Sequence, residues 1–385
     1  MSLSLSNVVT RRHSTVAMLL GCLTAIAGCA DQHQSPLSAP EVSPALSRVA
    51  STDSLAELDA SGGHRHIMPT LNQVRQPSNA LSSNRVLNGK ISYHGGFVIA
   101  GTDYSGQTAT PKVAVLYWGG PAAAPIYTGG PMPNDCWNAS GVPPEATCAP
   151  AGADQSLLGY FLANLGGSPY FKINSTYYGD MAYLGGGTSY SYVTGNLQYT
   201  QYYADPNPVP QSPTDVQMAG ELNNAFLSGN LTWDPTGSTI YAIFTPSGIN
   251  AGGGFGTQYC AYHGHFLVDS HVDGRGVNGL YAVEPYNADT PNCTAQTTTP
   301  NGDRAADTEV NTTAHELEES VTDGEGFRSP GWYDAAGNEN GDKCAWVWGP
   351  YTTLPNGAAW NITVGTQQFL VQENWKASGG CAQHL

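Results

Sequence analysis

Charge is scarce in this chain. Only 11% of its 385 residues are Asp, Glu, Lys or Arg, and 14 bases face 30 acids, for a net charge of −16. A deficit of bases argues against nucleic acid or an anionic membrane surface as a partner. The chain also lacks a long apolar run: "VAMLLGCLTAIAG", residues 16–28, is too short for a comfortable membrane span. It has no Gly-rich phosphate loop, no C-x-x-C and no G-x-S-x-G, so Ser/His/Asp catalysis has no motif to stand on. What it has in quantity is Gly (46), Pro (26) and Tyr (21). That composition suits a turn-rich exported domain with much sheet. An acidic surface is also compatible with bound divalent cations.

The N-terminus predicts the compartment. Arg11 and Arg12 precede the short apolar run, and Ile26-Ala27-Gly28-Cys29 has the form of a bacterial lipobox. The expectation is a signal peptide over 1–28 and a lipoprotein anchored through Cys29, with cleavage near Ala27 or Ala30 as the alternative. Two of the eight cysteines, Cys22 and Cys29, belong to this leader. The six that remain suggest three disulfides in an exported chain. Nearest-neighbour pairing gives Cys136–Cys148, Cys260–Cys293 and Cys344–Cys381.

Residues 29–88 are Ser/Pro-rich with no sustained apolar period, and read as a disordered linker. His64 and His66, in "GGHRHIMP", could bind metal, but a lone His pair in a linker is usually solvated. The folded domain is expected over 89–385. "KVAVLYWGG" and "STIYAIFTP" read as buried strands. "DQSLLGYFLANLGG" reads as a helix capped by Asp154 and stopped by Gly166. A second helix is expected in "SPTDVQMAGELNNAFLSG", with Val216, Met218, Leu222, Phe226 and Leu227 apolar. Strands alternating with helices favour an α+β or three-layer α/β domain around a central mixed sheet, stapled by disulfides.

The chemistry concentrates in "ADTEVNTTAHELEESVTDG". Asp307 or Thr308 is the expected cap and Gly324 the expected stop. Val310, Ala314, Leu317 and Val321 make one apolar stripe. His315 and Glu319 lie together on the opposite face, four residues apart, at the spacing of the two His of H-E-x-x-H. Glu316 stands where that motif has its general base. A carboxylate is an acceptable zinc ligand, so the zincin-like reading makes His315 and Glu319 Zn²⁺ ligands. The competing reading is a solvated acidic helix, because a face opposite an apolar stripe ordinarily meets water. Downstream, "GWYDAAGNENGDKCAW" offers Glu339 or Asp342 as a third ligand. Its other oxygens, from Asp334 onward, suit Ca²⁺ in composition but not in EF-hand spacing. His263 and His265 alternate on a strand and either line the same cleft or are satisfied sheet histidines. His94 is similar.

Several segments together resemble the EXORDIUM, or phosphate-induced, protein family of extracellular proteins, best known from plants and also found in bacteria. They are "SYHGGFVIAG", "LYWGG", "STIYAIFTPSGI", "YCAYHGH", the run from "TPNGDRAADTEVNTTAHELEESVTDGEG" to "GWYDAAGNENGDKCAW", and "FLVQENWKASGGC". The likeness covers about residues 90–385. On it, the helix pattern maps to His315, Glu316 and Glu319, and the acidic segment to Glu339, Asp342 and Cys344. The resemblance implies an extracellular role with no settled biochemical activity. Some members lack the His-Glu pair, so metal chemistry does not define the family. The lipobox, and Asp323-Gly324 where the family has Asn-Pro, are departures, and growth signalling does not transfer. Two functions follow as expectations. One is a zinc-dependent hydrolase, most simply a peptidase, with Glu316 as base. The other is a non-catalytic envelope protein that binds peptide or cell-wall glycan through exposed Tyr and Trp.

Overall fold

Alternation along one strand sets the architecture. In β2 (Lys112–Trp118), Val113, Val115 and Tyr117 join one buried cluster, while Ala114, Leu116 and Trp118 join another. A strand buried on both faces must lie inside a sheet covered on both sides. The computed structural model describes residues 65–74, 89–100, 109–119, 154, 156–180, 190–324 and 331–385. The leader, the lipobox, most of the expected linker and the pair Cys136–Cys148 lie outside the described residues.

The central sheet has six strands. With β1 (His66–Pro69), β3 (Gln198–Asp205), β4 (Thr239–Phe244), β5 (Tyr259–Leu267) and β6 (Asn278–Glu284), its order is β1-β5-β6-β4-β2-β3. The run β6-β4-β2-β3 is parallel, whereas β5 is antiparallel to both β6 and β1. The mixed sheet agrees with the sequence reading. Helix α1 (Leu157–Leu165) and α3 (Arg304–Thr322) pack on one face, and α2 (Asp215–Leu227) packs on the other.

Cap chemistry places the helices, with local departures from expectation. Ser156, not Asp154, caps α1 by accepting from the Gly159 amide at 2.8 Å. Asp154 is instead a buried acceptor for the hydroxyls of Tyr117 and Tyr199. Thr214 and Gln217 form a capping box on α2. Met218, Leu222 and Phe226 of α2 are buried as expected, but Val216 and Leu227 are 68% and 51% exposed. Asp303 caps α3 one turn earlier than Asp307 or Thr308 would, and Asp307 instead holds the Asn301 backbone and side chain. Gly324 follows the end of α3, and its amide donates to the Phe97 carbonyl.

Two disulfides join Cys260 to Cys293 and Cys344 to Cys381. The expected linker contains one folded stretch. Residues 66–69 pair with β5, and Leu71 and Val74 are buried in the next short helix. A four-residue edge strand is too short to carry a visible period, which is why composition alone reads it as tether.

Candidate metal centre

Helix α3 is the buried spine of the site. Every residue from 305 to 322 is buried, including His315, Glu316, Glu318 and Glu319. This overturns the solvated-face reading. The apolar stripe Val310, Ala314, Leu317 and Val321 packs into the main core. The polar face is covered by β5, β6 and the C-terminal segment, and burying it requires polar partners. They are present: Asn374 donates to Glu318 at 2.6 Å, the Asp342 amide to Glu319 Oε1 at 2.8 Å, and the Asn287 amide to Glu309 at 2.6 Å.

Seven metal-capable side chains meet along this face: His315, Glu316 and Glu319 of α3, His263 of β5, His66 of β1, and Glu339 and Asp342 of the loop before Cys344. All the sequence-predicted site residues are therefore brought together, but not as one ligand set. His315 Nε2 lies 3.1 Å from Glu319 Oε1 and 3.8 Å from Asp342 Oδ1. Glu339 faces away from these, with Oε2 2.7 Å from His66 Nδ1 and Oε1 3.7 Å from His263 Nε2. Glu316 does not face open space; its Oε2 is 2.9 Å from His263 Nδ1. Glu319 turns its other oxygen, Oε2, toward the same nitrogen at 3.6 Å.

These distances fall into two classes. Pairs at 2.7–3.1 Å are within reach of ordinary hydrogen bonds. Pairs at 3.6–3.8 Å are too long for that, yet two ligands bound tetrahedrally to one zinc at ~2.0–2.2 Å lie about 3.4 Å apart. Several facing atoms also lack a hydrogen bond while fully buried: His263 Nε2, Glu316 Oε1, Glu319 Oε2 and Glu339 Oε1. Buried polar atoms are costly unless water or an ion answers them.

Electrostatics point the same way. Burial pushes the Glu316 carboxyl well above its usual range, and Glu319 and Glu284 add to the push. Glu339 is raised by burial likewise, and Asp342 is raised to about 7 by burial and Glu319. Burial and the neighbouring rings of His66, His315 and His265 drive His263 well below 6.5, so its ring is neutral, the form that ligates metal. Burial disfavours charge on His315, but Glu319 and Asp342 outweigh it and raise its pKa. A crowd of carboxylates whose ionisation is suppressed by one another is what a divalent cation relieves.

The backbone is shaped around the cluster. A Cβ on Gly341 would stand 2.8 Å from Glu319 Oε1 and 3.0 Å from His315 Nδ1. The Gln372 side-chain amide lies 3.0 Å from His315 Nδ1 and 2.9 Å from the Gly341 carbonyl, which fixes the ring with Nε2 toward the carboxylates. Asp334, a candidate Ca²⁺ ligand by composition, is already engaged by the Ala336 amide, Asn338 and Lys343 Nζ. His94 is elsewhere, against Ser92 and Tyr333.

Sequence reasoning underused His66 and His263. The H-x-H alternation in β5 does place His263 and His265 on one face. His66 has a local mark in the H-x-H of "GGHRHIMP", but its place in the site follows only from β1 pairing His66 opposite His263. Some His, Glu and Asp groups here can therefore hold a metal ion, and their arrangement leaves its identity open. No family model, curated protein or solved structure matches this chain.

Proposed function

We propose that this protein is an exported, lipid-anchored, EXORDIUM-like metallohydrolase that cleaves peptides with Zn²⁺ as cofactor. The observation that carries the reading is the convergence of His315 Nε2, Glu319 Oε1 and Asp342 Oδ1 beside Glu316. One His and two carboxylates are competent zinc donors. Bound there, Zn²⁺ would supply Lewis acidity to a scissile carbonyl and lower the pKa of water toward ~7. The chain's own part is proton handling and access. Glu316, next to His315 on α3 and within hydrogen-bond reach of His263, is suited to take a proton from the attacking water and return it to the leaving amine. Asp342 and His66 each keep 18% of their side-chain surface exposed and form the accessible rim.

The test is Glu316→Gln on the full chain. Zinc held by His315, Glu319 and Asp342 should be retained while cleavage of a peptide library falls roughly 10²–10⁴-fold. Wild-type protein without stoichiometric zinc, or a variant that cleaves at the wild-type rate, rejects the reading.

A second reading, non-catalytic glycan binding, is favoured by one surface. Tyr93, Tyr178, Tyr190 and Trp332 form a cluster of tilted and edge-on rings, and Tyr190 and Tyr192 are 55% and 58% exposed. Exposed aromatic faces stack on sugars. Retention on cell-wall polysaccharide that survives His315→Ala but not Tyr190→Ala/Tyr192→Ala would support it.

A further inference from the structure

We infer that the protein holds a second divalent transition cation, zinc first, at a separate site built from His66, His263 and Glu339. None of these three belongs to the His315, Glu319 and Asp342 set.

The sheet register builds half of the site. His66 on β1 is directly opposite His263 on β5, and their rings stack with centroids 5.0 Å apart. Neighbours across a sheet point to the same face, here toward α3. Glu339, fully buried, places Oε2 2.7 Å from His66 Nδ1 and Oε1 3.7 Å from His263 Nε2.

Proton positions make the set ligand-competent. With the proton on His263 Nδ1, which lies 2.9 Å from Glu316 Oε2, the neutral ring has its lone pair on Nε2. That atom is buried, has no hydrogen bond, and lies 3.7 Å from Glu339 Oε1, which also has none. A plain ion pair between His66 and Glu339 accounts for the 2.7 Å contact but leaves both of those atoms unanswered. A cation between them satisfies both. Two His and one Glu are a zinc donor set, and a carboxylate on the far nitrogen of a ligating His is its usual support. Glu316 takes that supporting place. Glu319 stands between the two sites, with Oε1 toward His315 and Oε2 toward His263. The second cation would therefore clamp the N-terminal strand to the sheet and to the C-terminal loop.

Zinc counting on the full chain, after equilibration with Zn²⁺ and removal of excess, tests this. Wild type should carry two zinc ions. His66→Ala and the near-isosteric Glu339→Gln should each carry one, and His315→Ala should also carry one. Combining His66→Ala with His315→Ala should carry none. Co²⁺ loading separates the sites spectroscopically, because the absorption lost in Glu339→Gln should persist in His315→Ala. Zinc counts unchanged in both His66→Ala and Glu339→Gln, with circular dichroism showing the native fold, overturn the second site. A single zinc lost only in His315→Ala overturns it while leaving the proposed hydrolytic site intact. A single zinc lost only in His66→Ala and Glu339→Gln supports this site and removes the other.

Discussion

At the scale of single residues, the least conspicuous member of the centre is Gly341. Its φ is −67°, a value any residue adopts, so no backbone strain demands glycine there. Space demands it: an added methyl meets the Glu319 carboxylate and the His315 ring. Gly341→Ala should therefore destabilise by about 1–3 kcal/mol, the usual cost of overpacking, and should weaken zinc binding by separating His315 from Glu319. Urea unfolding and zinc titration check both, and a variant with native zinc affinity would remove Gly341 from the site. Nearby, Lys343 is fully buried and bonds Asp334 at 2.7 Å. Burial works against the Asp334 carboxylate, but donors from Lys343 and Asn338 outweigh it and hold its pKa below 3.8. Stability from the depressed carboxylate is present above its unfolded pKa and is lost as pH falls through the lower folded value. Asp334→Asn should thus flatten the acid limb of the stability curve below about pH 4. Lys343→Ala, which leaves a buried charge unpaired, should cost about 3–5 kcal/mol at neutral pH. Both are read from unfolding curves across acid pH, and an acid limb unchanged in Asp334→Asn would discard the argument. In the sequence, "NENGDKC" announced an acidic loop beside a disulfide cysteine. It did not reveal that Asp334 is spent on Lys343, or that Glu339 and Asp342 turn to different histidines, because side-chain partners are chosen by the fold.

Elements show the same division between what is local and what is not. The spacing of Val310, Ala314, Leu317 and Val321 announced α3 and its core-facing stripe. The polar face was misplaced because its cover is remote in sequence: Gln372 meets His315, and Asn374 meets Glu318, across more than fifty residues. The α1 cap lies two residues on, at Ser156, because a Tyr pair claims Asp154, and the α3 cap lies one turn back, at Asp303, because Asn301 claims Asp307. Disulfide pairing by nearest neighbour succeeded for Cys260–Cys293 and Cys344–Cys381, since both close modest loops on adjacent elements. The second of these has a consequence. It joins the short turn Asp342–Cys344 to the end of the chain, over a separation of 37 residues. Chain entropy assigns such a closure about 4 kcal/mol. Replacing Cys344 and Cys381 together by Ser should lose stability of that order, and should weaken zinc binding further because Asp342 rides on the released turn. If zinc affinity is untouched while stability falls, the disulfide is a staple only and does not position the ligand.

At the scale of the whole molecule, the mixed sheet decides where charge can accumulate. The parallel strands β6, β4 and β2 present mainly apolar side chains to the face that α1 and α3 cover, with Glu284 at the end of β6 as an exception. The antiparallel strand β5 and its edge partner β1 break that rule with His263 and His66, and α3 answers with Glu316 and Glu319. The acidic chain thus concentrates carboxylates inside itself at the one side of the sheet where histidines face them. A cation bound there acts on folding as a whole, because the unfolded chain scatters its ligands from residue 66 to residue 342. By mass action, free zinc at a hundred times its dissociation constant stabilises by about 2.7 kcal/mol per site. For a domain of this size, that corresponds to a Tm shift of roughly 4 °C per site. Chelator should therefore lower Tm by about that amount, and added Zn²⁺ should restore it, whereas NaCl at matched ionic strength should not. Screening by salt acts weakly on buried charges, so this control separates a bound ion from relief of repulsion among exposed acids in a chain of net charge −16. An identical Tm with and without chelator would mean that protons on the carboxylates, and not a metal, hold the centre together.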